Sequence, residues 1–405
     1  VPGITASDPQ THRRTAWLLV AARAVRSLWQ GALVVDFTLY LRALGWTAVA
    51  ISTVLAASLL AGAALTMLLG PLSDRLGRRR FLLVYDALQG LAALVAFATP
   101  ATVPLTVAAI VGGFGRGGNG AAGPFAPLEQ AWLAQCVPLP RRGRFYSLNA
   151  ATGFGGMALG AVIAGVPGWL GGTTPPAAFY RPLFLLTAVL SAVTFGLILA
   201  GRDVAAATPS ATLDRAARRR ENHLILRLVL ANFLNGAGLG LTGPLISYWF
   251  AITFHRGPAS IGPMIAAGFA LAMVASLING WIAERIGMVR AVVSMRLAAL
   301  VLLVALPFAP NFMLAAVLYT ARTVLNRGTT GARSALSVSI VGDGRRGFSS
   351  ASSNVALQIP RAIGPILAGM LFESGLFAAP FLIAALFQGG YLWLYDRSFR
   401  DVALK

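Results

Sequence analysis

Twelve predominantly apolar stretches, most close to the about 20 residues that a helix needs to cross the hydrocarbon core of a bilayer, follow one another along this chain of 405 residues. They fall near 16–41, 48–69, 81–99, 105–136, 145–170 and 179–200 in the first half, and near 224–250, 261–282, 289–306, 311–338, 349–372 and 376–395 in the second. Runs of this length leave little room for charge. Only 11% of the residues are Asp, Glu, Lys or Arg, against about 25% in soluble domains. A backbone in lipid must satisfy its own polar groups, so apolar runs of this length become helices. The expected fold is an all-α polytopic membrane protein with 12 transmembrane helices. No charged, apolar, small-residue cleavage pattern precedes Trp17, so the first run is expected to remain as a helix.

The chain is basic, with a formal net charge of +20, and the position of that charge decides its meaning. Arg13 and Arg14, Arg75 to Arg80, Arg141 to Arg144, Arg215 to Arg220, Arg285, Arg290, Arg345, Arg346 and the tail fall on alternate connections. The opposite connections hold only Arg42, Arg181 and Arg256. This is the positive-inside bias. It places both termini in the cytoplasm and the protein in the cytoplasmic membrane, with anionic lipid headgroups rather than nucleic acid as the partner of the basic surface. The most polar stretch, 202–223, reads as a cytoplasmic linker between an N-terminal six-helix bundle (1–201) and a C-terminal one (224–405).

The two halves repeat. G-P-L-S-D-R-L-G-R-R-R follows the second run and G-W-I-A-E-R-I-G-M-V-R follows the eighth, so Gly70, Asp74, Arg75, Gly77 and Arg80 map onto Gly280, Glu284, Arg285, Gly287 and Arg290 at a constant offset of 210. A second echo sets Gly160 to Gly165 against Gly364 to Gly369. Paired six-helix units are the mark of a transporter built from parallel repeats. The Gly70 to Arg80 segment resembles the loop-2/3 signature of the major facilitator superfamily, and R-G-G-N-G at Arg116 to Gly120 resembles that family's helix-four motif. The resemblance implies two pseudo-symmetric six-helix bundles, with helices one, four, seven and ten around a central cavity. It also implies a cytoplasmic gate in which Asp74, Arg75 and Arg80, with Gly70 and Gly77, latch the halves, and Glu284 and Arg285 form a weaker second copy.

Charges inside apolar helices cost enough to imply a partner or a wet cavity. Asp36 in the outer third of helix one and Arg116 near the middle of helix four are expected to meet as a proton carrier and its switch. Glu129 is a second protonation candidate, expected rather to pair with a loop arginine such as Arg78 or Arg144, with Asp86 in a similar role. Arg23, Arg26 and Gln30 fall within about 60° on helix one, and Arg322, Asn326, Thr329 and Arg333 do the same on helix ten. Ser350, Asn354, Gln358 and Arg361 stripe helix eleven, and Asn232 and Asn235 lie on helix seven. Together these residues would make a substrate cavity rich in donors, with an excess of positive charge that suits an anionic solute. The glycine strings Gly113 to Gly118 and Gly236 to Gly240 read as sites of helix packing or bending.

The chain's one lysine is Lys405, so no glycine-rich turn is followed by the lysine that a P-loop needs. Three scattered histidines and Cys136 offer neither a disulfide framework nor a zinc site. No nucleophile, base and orienting group occur as a set, so the chain is not read as an enzyme. The leading reading is a monomeric secondary transporter of a small organic solute. It works by alternating access, with no cofactor and the proton gradient as its energy source. The alternatives are a multidrug/proton antiporter, uncoupled or symport uptake of the same solute class, and a ligand sensor or lipid scramblase on the same fold. In drug/proton antiporters of the family helix five carries a glycine-proline pair, whereas here Gly160 is followed by Ala161.

Overall fold

A computed structural model of the chain describes residues 9–116, 125–202, 215–286, 288–329, 333 and 346–400, and among these every regular element is helical. The N-terminal half contains α1 (Pro9–Ala43), α2 (Ala48–Leu76), α3 (Arg78–Ala98), α4 (Thr102–Gly112), α5 (Phe125–Cys136), α6 (Leu139–Ile163), α7 (Val166–Gly171) and α8 (Arg181–Ala200). The C-terminal half contains α9 (Arg215–Thr242), α10 (Ile246–Thr253), α11 (Pro258–Ile286), α12 (Met288–Ala305), α13 (Phe312–Gly328), α14 (Arg346–Glu373) and α15 (Ala379–Phe399). Nine spans among the described residues are long and apolar enough to cross a membrane, and the protein is a multi-pass membrane protein.

Several boundaries differ from the apolar runs for identifiable reasons. α2 continues through Leu76, so Gly70, Asp74 and Arg75 occupy its last turns rather than a loop. The turn is made at Gly77, whose φ of 93° lies where a side chain would be strained. The side chains of Gly70 to Leu76 and of Glu284 and Arg285 lie outside the described residues, as does Gly287, so the gate latch is not placed; Arg80 is exposed at the start of α3. α9 is already helical from Arg215, inside the stretch assigned to the linker, most of whose remaining residues lie outside the described ones.

The fourth run is interrupted. α4 stops at Gly112, and Gly113 and Gly115 take φ values of 72° and 74°, so this glycine string breaks the helix where bending or close packing was expected. A helix end within the membrane exposes carbonyls that need donors. Gln89 donates to the Gly112 carbonyl at 2.8 Å, Ser58 to that of Ala109 at 3.3 Å and Arg116 to that of Ile110 at 3.0 Å.

The halves repeat in space as they do in sequence. α1 packs on α6 as α9 packs on α14, and across the divide α2 packs on α14 while α6 packs on α11, the crosswise arrangement that a two-fold relation between the halves produces. The echoed glycines explain part of this. Gly160 brings α6 against the α1 backbone at Leu28 and Ala32, and Gly364 brings α14 against the α9 backbone at Gly240 and Leu241, in both cases with no space for a side chain.

One buried apolar core, running from Trp29 and Leu41 through Leu245 and Trp249 to Phe381, is shared by both halves. Two further cores are private: one around Leu19, Tyr85 and Trp132, the other around Leu228, Val292 and Tyr395. The private cores lie toward the basic connections. At the arginine-poor end the halves are joined again: the Glu373 carboxylate on α14 accepts the Val49 N–H of α2 at 2.8 Å, and the Arg42 guanidinium lies 5.9 Å from the Tyr248 ring. The described residues thus join the halves at the arginine-poor end, and the two private cores lie toward the basic one.

Candidate functional site

Helix one carries its polar stripe into a buried ionic cluster. Arg26 on α1 is 0% exposed, Asp86 on α3 is 1% exposed and Glu129 on α5 is 2% exposed. Arg26 donates from Nη2 to both carboxylate oxygens of Asp86 at 3.1 Å and from Nη1 to Glu129. Arg23 lies within electrostatic reach of Glu129 and Arg26. Two arginines thus meet two carboxylates, and the cluster is neutral. Glu129 and Asp86, expected to pair with loop arginines, are brought to Arg26 because α1, α3 and α5 converge there. Gln30, the third member of the stripe, is also buried.

Asp36 and Arg116 do not form the expected pair. Asp36 is buried on α1, about 10 Å along the helix from its arginine-poor end at 1.5 Å per residue, and neither carboxyl oxygen has a hydrogen-bond partner. It lies within electrostatic reach of Tyr180. Arg116 folds back from the break after α4, and its guanidinium occupies the space left by Gly62 on α2 and Gly113. The break is the physical reason for the correction, because it takes Arg116 out of a continuous fourth helix. Gly117 to Gly120 lie outside the described residues.

The C-terminal half is built differently. On α13, Arg322 is buried and donates to the Thr242 hydroxyl of α9 at 3.5 Å, the limit of a hydrogen bond. On α14, Arg361 is buried and donates to Gln358, one turn earlier, at 3.4 Å. Between them, Arg327 on α13 is buried with its guanidinium 3.8 Å from the centre of the Phe269 ring on α11, and lies within electrostatic reach of both Arg322 and Arg361. Neither Arg322 nor Arg361 forms an ion pair with an acid among the described residues. Arg322 lies about 15 Å along α13 and Arg361 about 18 Å from the end of α14. Both are therefore near the middle of a core about 30 Å thick. Arg327 is thus the group that relates Arg322 of the helix-ten stripe to Arg361 of the helix-eleven stripe. Asn326, Gln358, Asn354 and Asn232 are half-buried, as is Arg333, whose N–H bonds the Thr329 carbonyl; the side chain of Ser350 lies outside the described residues.

Asn235 does not belong to this group. It is fully buried and accepts from Arg296 of α12 at 3.2 Å and from Gln388 of α15 at 3.3 Å. Arg296 and Arg327 were both missed in the sequence. Arg296 interrupts an otherwise apolar run and has the intramembrane charge that singled out Asp36, but no stripe accompanies it. Arg327 stands off the helix-ten stripe, five residues from Arg322, and so points toward a different helix.

The family pattern described as Major Facilitator Superfamily matches residues 16–225 and 228–402. The chain belongs to the major facilitator superfamily. An uncharacterized membrane protein of Saccharomyces cerevisiae is 25% identical over 337 residues, covering 75% of either chain. The fold is similar to that of a bacterial homologue of the human lysosomal transporter Spinster in an inward-facing and occupied conformation (TM-score 0.72, 13% identity, 98% of both chains). It is also similar to the nucleoside transporter NupG (0.68, 14%, 95% of this chain and 99% of that one) and to a D-xylose-proton symporter (0.66, 14%, 93% and 97%). At these identities the likeness concerns the fold, and that fold is one of secondary transporters.

Proposed function

We propose that the protein carries a small organic anion across the cytoplasmic membrane by alternating access, as a monomer with both termini cytoplasmic. One observation carries the reading: Arg322 and Arg361 are each buried near mid-membrane, both lie within electrostatic reach of the buried Arg327, and among the described residues their hydrogen-bond partners are neutral. Carboxylate or phosphate oxygens complement such a wall, because charge-assisted hydrogen bonds are short and strong where water is excluded. A cation would be repelled there. Asn326, Gln358 and Asn232 supply neutral donors beside the arginines.

Coupling rests on Asp36. Among the described buried acids it alone stands outside the Arg26 cluster. Gain or loss of one proton there changes the charge of a buried, unpartnered site by one, and the proton gradient is the energy source. The contacts that join the halves at the arginine-poor end and the separate cores toward the basic connections support a state open to the cytoplasm. Its orientation follows from the basic loops.

The test is a thermal-shift screen of the purified full chain against carboxylates, sugar phosphates, neutral sugars and nucleosides, and lipophilic cations, since a ligand of the native state raises stability by mass action. Organic anions should stabilise the wild type. Arg322→Gln and Arg361→Gln should each weaken that binding by more than about 1.5 kcal/mol, the lower value for a hydrogen bond to a charged group. Preference for lipophilic cations, unaltered in both variants, would overturn the reading in favour of a multidrug/proton antiporter.

A further inference from the structure

Arg296 lies apart from the wall just described, enclosed by α9, α12 and α15, and is 3% exposed. Its Nη1 donates to Asn235 Oδ1 at 3.2 Å and to Gln388 Oε1 at 3.1 Å. Gln388 Nε2 in turn donates to the Asn235 backbone oxygen at 3.2 Å and to Asn235 Oδ1 at 3.3 Å. The side-chain acceptors of both amides are therefore in use. Donors remain: among the described residues Nε and Nη2 of Arg296 and Nδ2 of Asn235 are buried without partners, as are the hydroxyls of Tyr391 and Tyr395, each of which can donate. The Tyr391 ring lies 5.1 Å from the guanidinium, and Tyr395 stands 5.4 Å from Tyr391.

Among the described residues no carboxylate answers this charge. The charged groups within electrostatic reach of Arg296 are Arg322 and Arg333, which repel it. An arginine cannot escape by losing its proton, and a buried ion costs several kcal/mol unless it is compensated. Water would satisfy the N–H groups and leave the charge. A negative species that accepts from several directions would satisfy both.

We propose that Arg296, Asn235, Tyr391 and Tyr395 form a binding site for a small monovalent inorganic anion, a halide, that serves as the resident counter-ion of the C-terminal half. The donors come from three helices, α9, α12 and α15, an arrangement that suits a spherical acceptor better than a planar carboxylate. The private apolar core of Ile225, Leu228, Val292 and Leu392 encloses the same helices and favours an ion that sheds its water readily. One negative charge neutralises one arginine, so a monovalent ion leaves Arg322 and Arg361 free for the transported solute.

The experiment measures the melting temperature of the purified full chain in sodium chloride, sodium bromide and sodium fluoride at equal ionic strength, fluoride holding its water too strongly to enter an apolar enclosure. Chloride and bromide should raise it in a saturable way relative to fluoride. The dependence should vanish in Arg296→Gln and in Asn235→Asp, the second of which supplies a built-in carboxylate and should also raise stability in fluoride. It should persist in Arg322→Gln and Arg361→Gln. Equal melting in chloride and fluoride for the wild type overturns the proposal. So does a dependence that survives Asn235→Asp, or one that is lost with Arg322 or Arg361, because the ion would then lie in the solute wall. If Arg296→Gln does not fold, Asn235→Asp alone decides. None of these outcomes depends on which organic solute the protein carries.

Discussion

The N-terminal and C-terminal halves share one fold and treat buried charge in opposite ways. In the first half Arg23 and Arg26 meet Asp86 and Glu129, and the charges cancel within the protein. In the second half, among the described residues, Arg296, Arg322 and Arg361 are buried beside amides, a hydroxyl, aromatic rings and one another's positive charge, with no acid paired to them. Repeating a scaffold therefore does not repeat its electrostatics. A neutral cluster joins α1, α3 and α5 into a stiff unit. An uncompensated set of arginines keeps its attraction for something brought from outside. The first arrangement supplies structure and the second supplies a site.

The comparison is broken most directly at Arg26. Arg26→Gln leaves Asp86 and Glu129 buried together without the cation that bonds them both, with Arg23 as the remaining positive charge beside Glu129, and removal of one partner from a buried ion pair costs about 3–5 kcal/mol. Thermal unfolding of the purified variant should show that loss, with partial recovery when Glu129→Gln is added. A variant as stable as the wild type would mean that water already compensates the cluster. The counterpart in the other half is Arg361→Gln, which removes a charge that has no acid to leave behind. Ligand-free stability should stay level or rise, while affinity for an organic anion falls by at least about 1.5 kcal/mol. The same substitution type thus separates a structural arginine from a binding one.

Much of this asymmetry could be read in the sequence, and what could not has physical causes. The stripe of Arg23, Arg26 and Gln30 follows from helical spacing alone, as does that of Arg322 on helix ten, where Asn326 and Thr329 share its face. Which acid answers Arg26 does not follow, because Asp86 and Glu129 are 60 and 103 residues away and only the packing of three helices brings them in. The break after Gly112 escaped because a glycine-rich string serves tight packing and left-handed turns equally well. It was this break, and not the charge pattern, that separated Arg116 from Asp36. The crosswise pairs α2 with α14 and α6 with α11 agree with the two-fold repeat, but the repeat in the sequence names neither the partners nor the end at which the halves meet.

Asp36 sharpens the comparison from the side of function. It is a buried acid of the first half that belongs to no cluster, so Asp36→Asn breaks no ion pair and keeps the side chain's shape. Its effect on stability should stay within about 1 kcal/mol, well below that of Arg26→Gln. Coupling should be lost. In proteoliposomes, addition of the transported solute should no longer change the internal pH, while thermal-shift binding of the solute persists. Normal coupling in the variant would move the proton carrier elsewhere, with Glu129 next in line.

The smallest effect is expected at Thr242, whose hydroxyl accepts from Arg322. At 3.5 Å the contact is at the edge of hydrogen-bond geometry, and Thr242→Val preserves volume and branching. If the arginines of the C-terminal half are held mainly by what they bind, this substitution should change unfolding stability by less than about 0.5 kcal/mol, below the usual net worth of a well-formed hydrogen bond. Glu129→Gln, which replaces an ionised partner of Arg26, should cost several times more. The pair of measurements needs no knowledge of the solute. A loss at Thr242 as large as that at Glu129 would show that Arg322 depends on a fixed internal partner after all. The distinction between a self-neutralised half and a ligand-dependent one would then rest on Arg296 and Arg361.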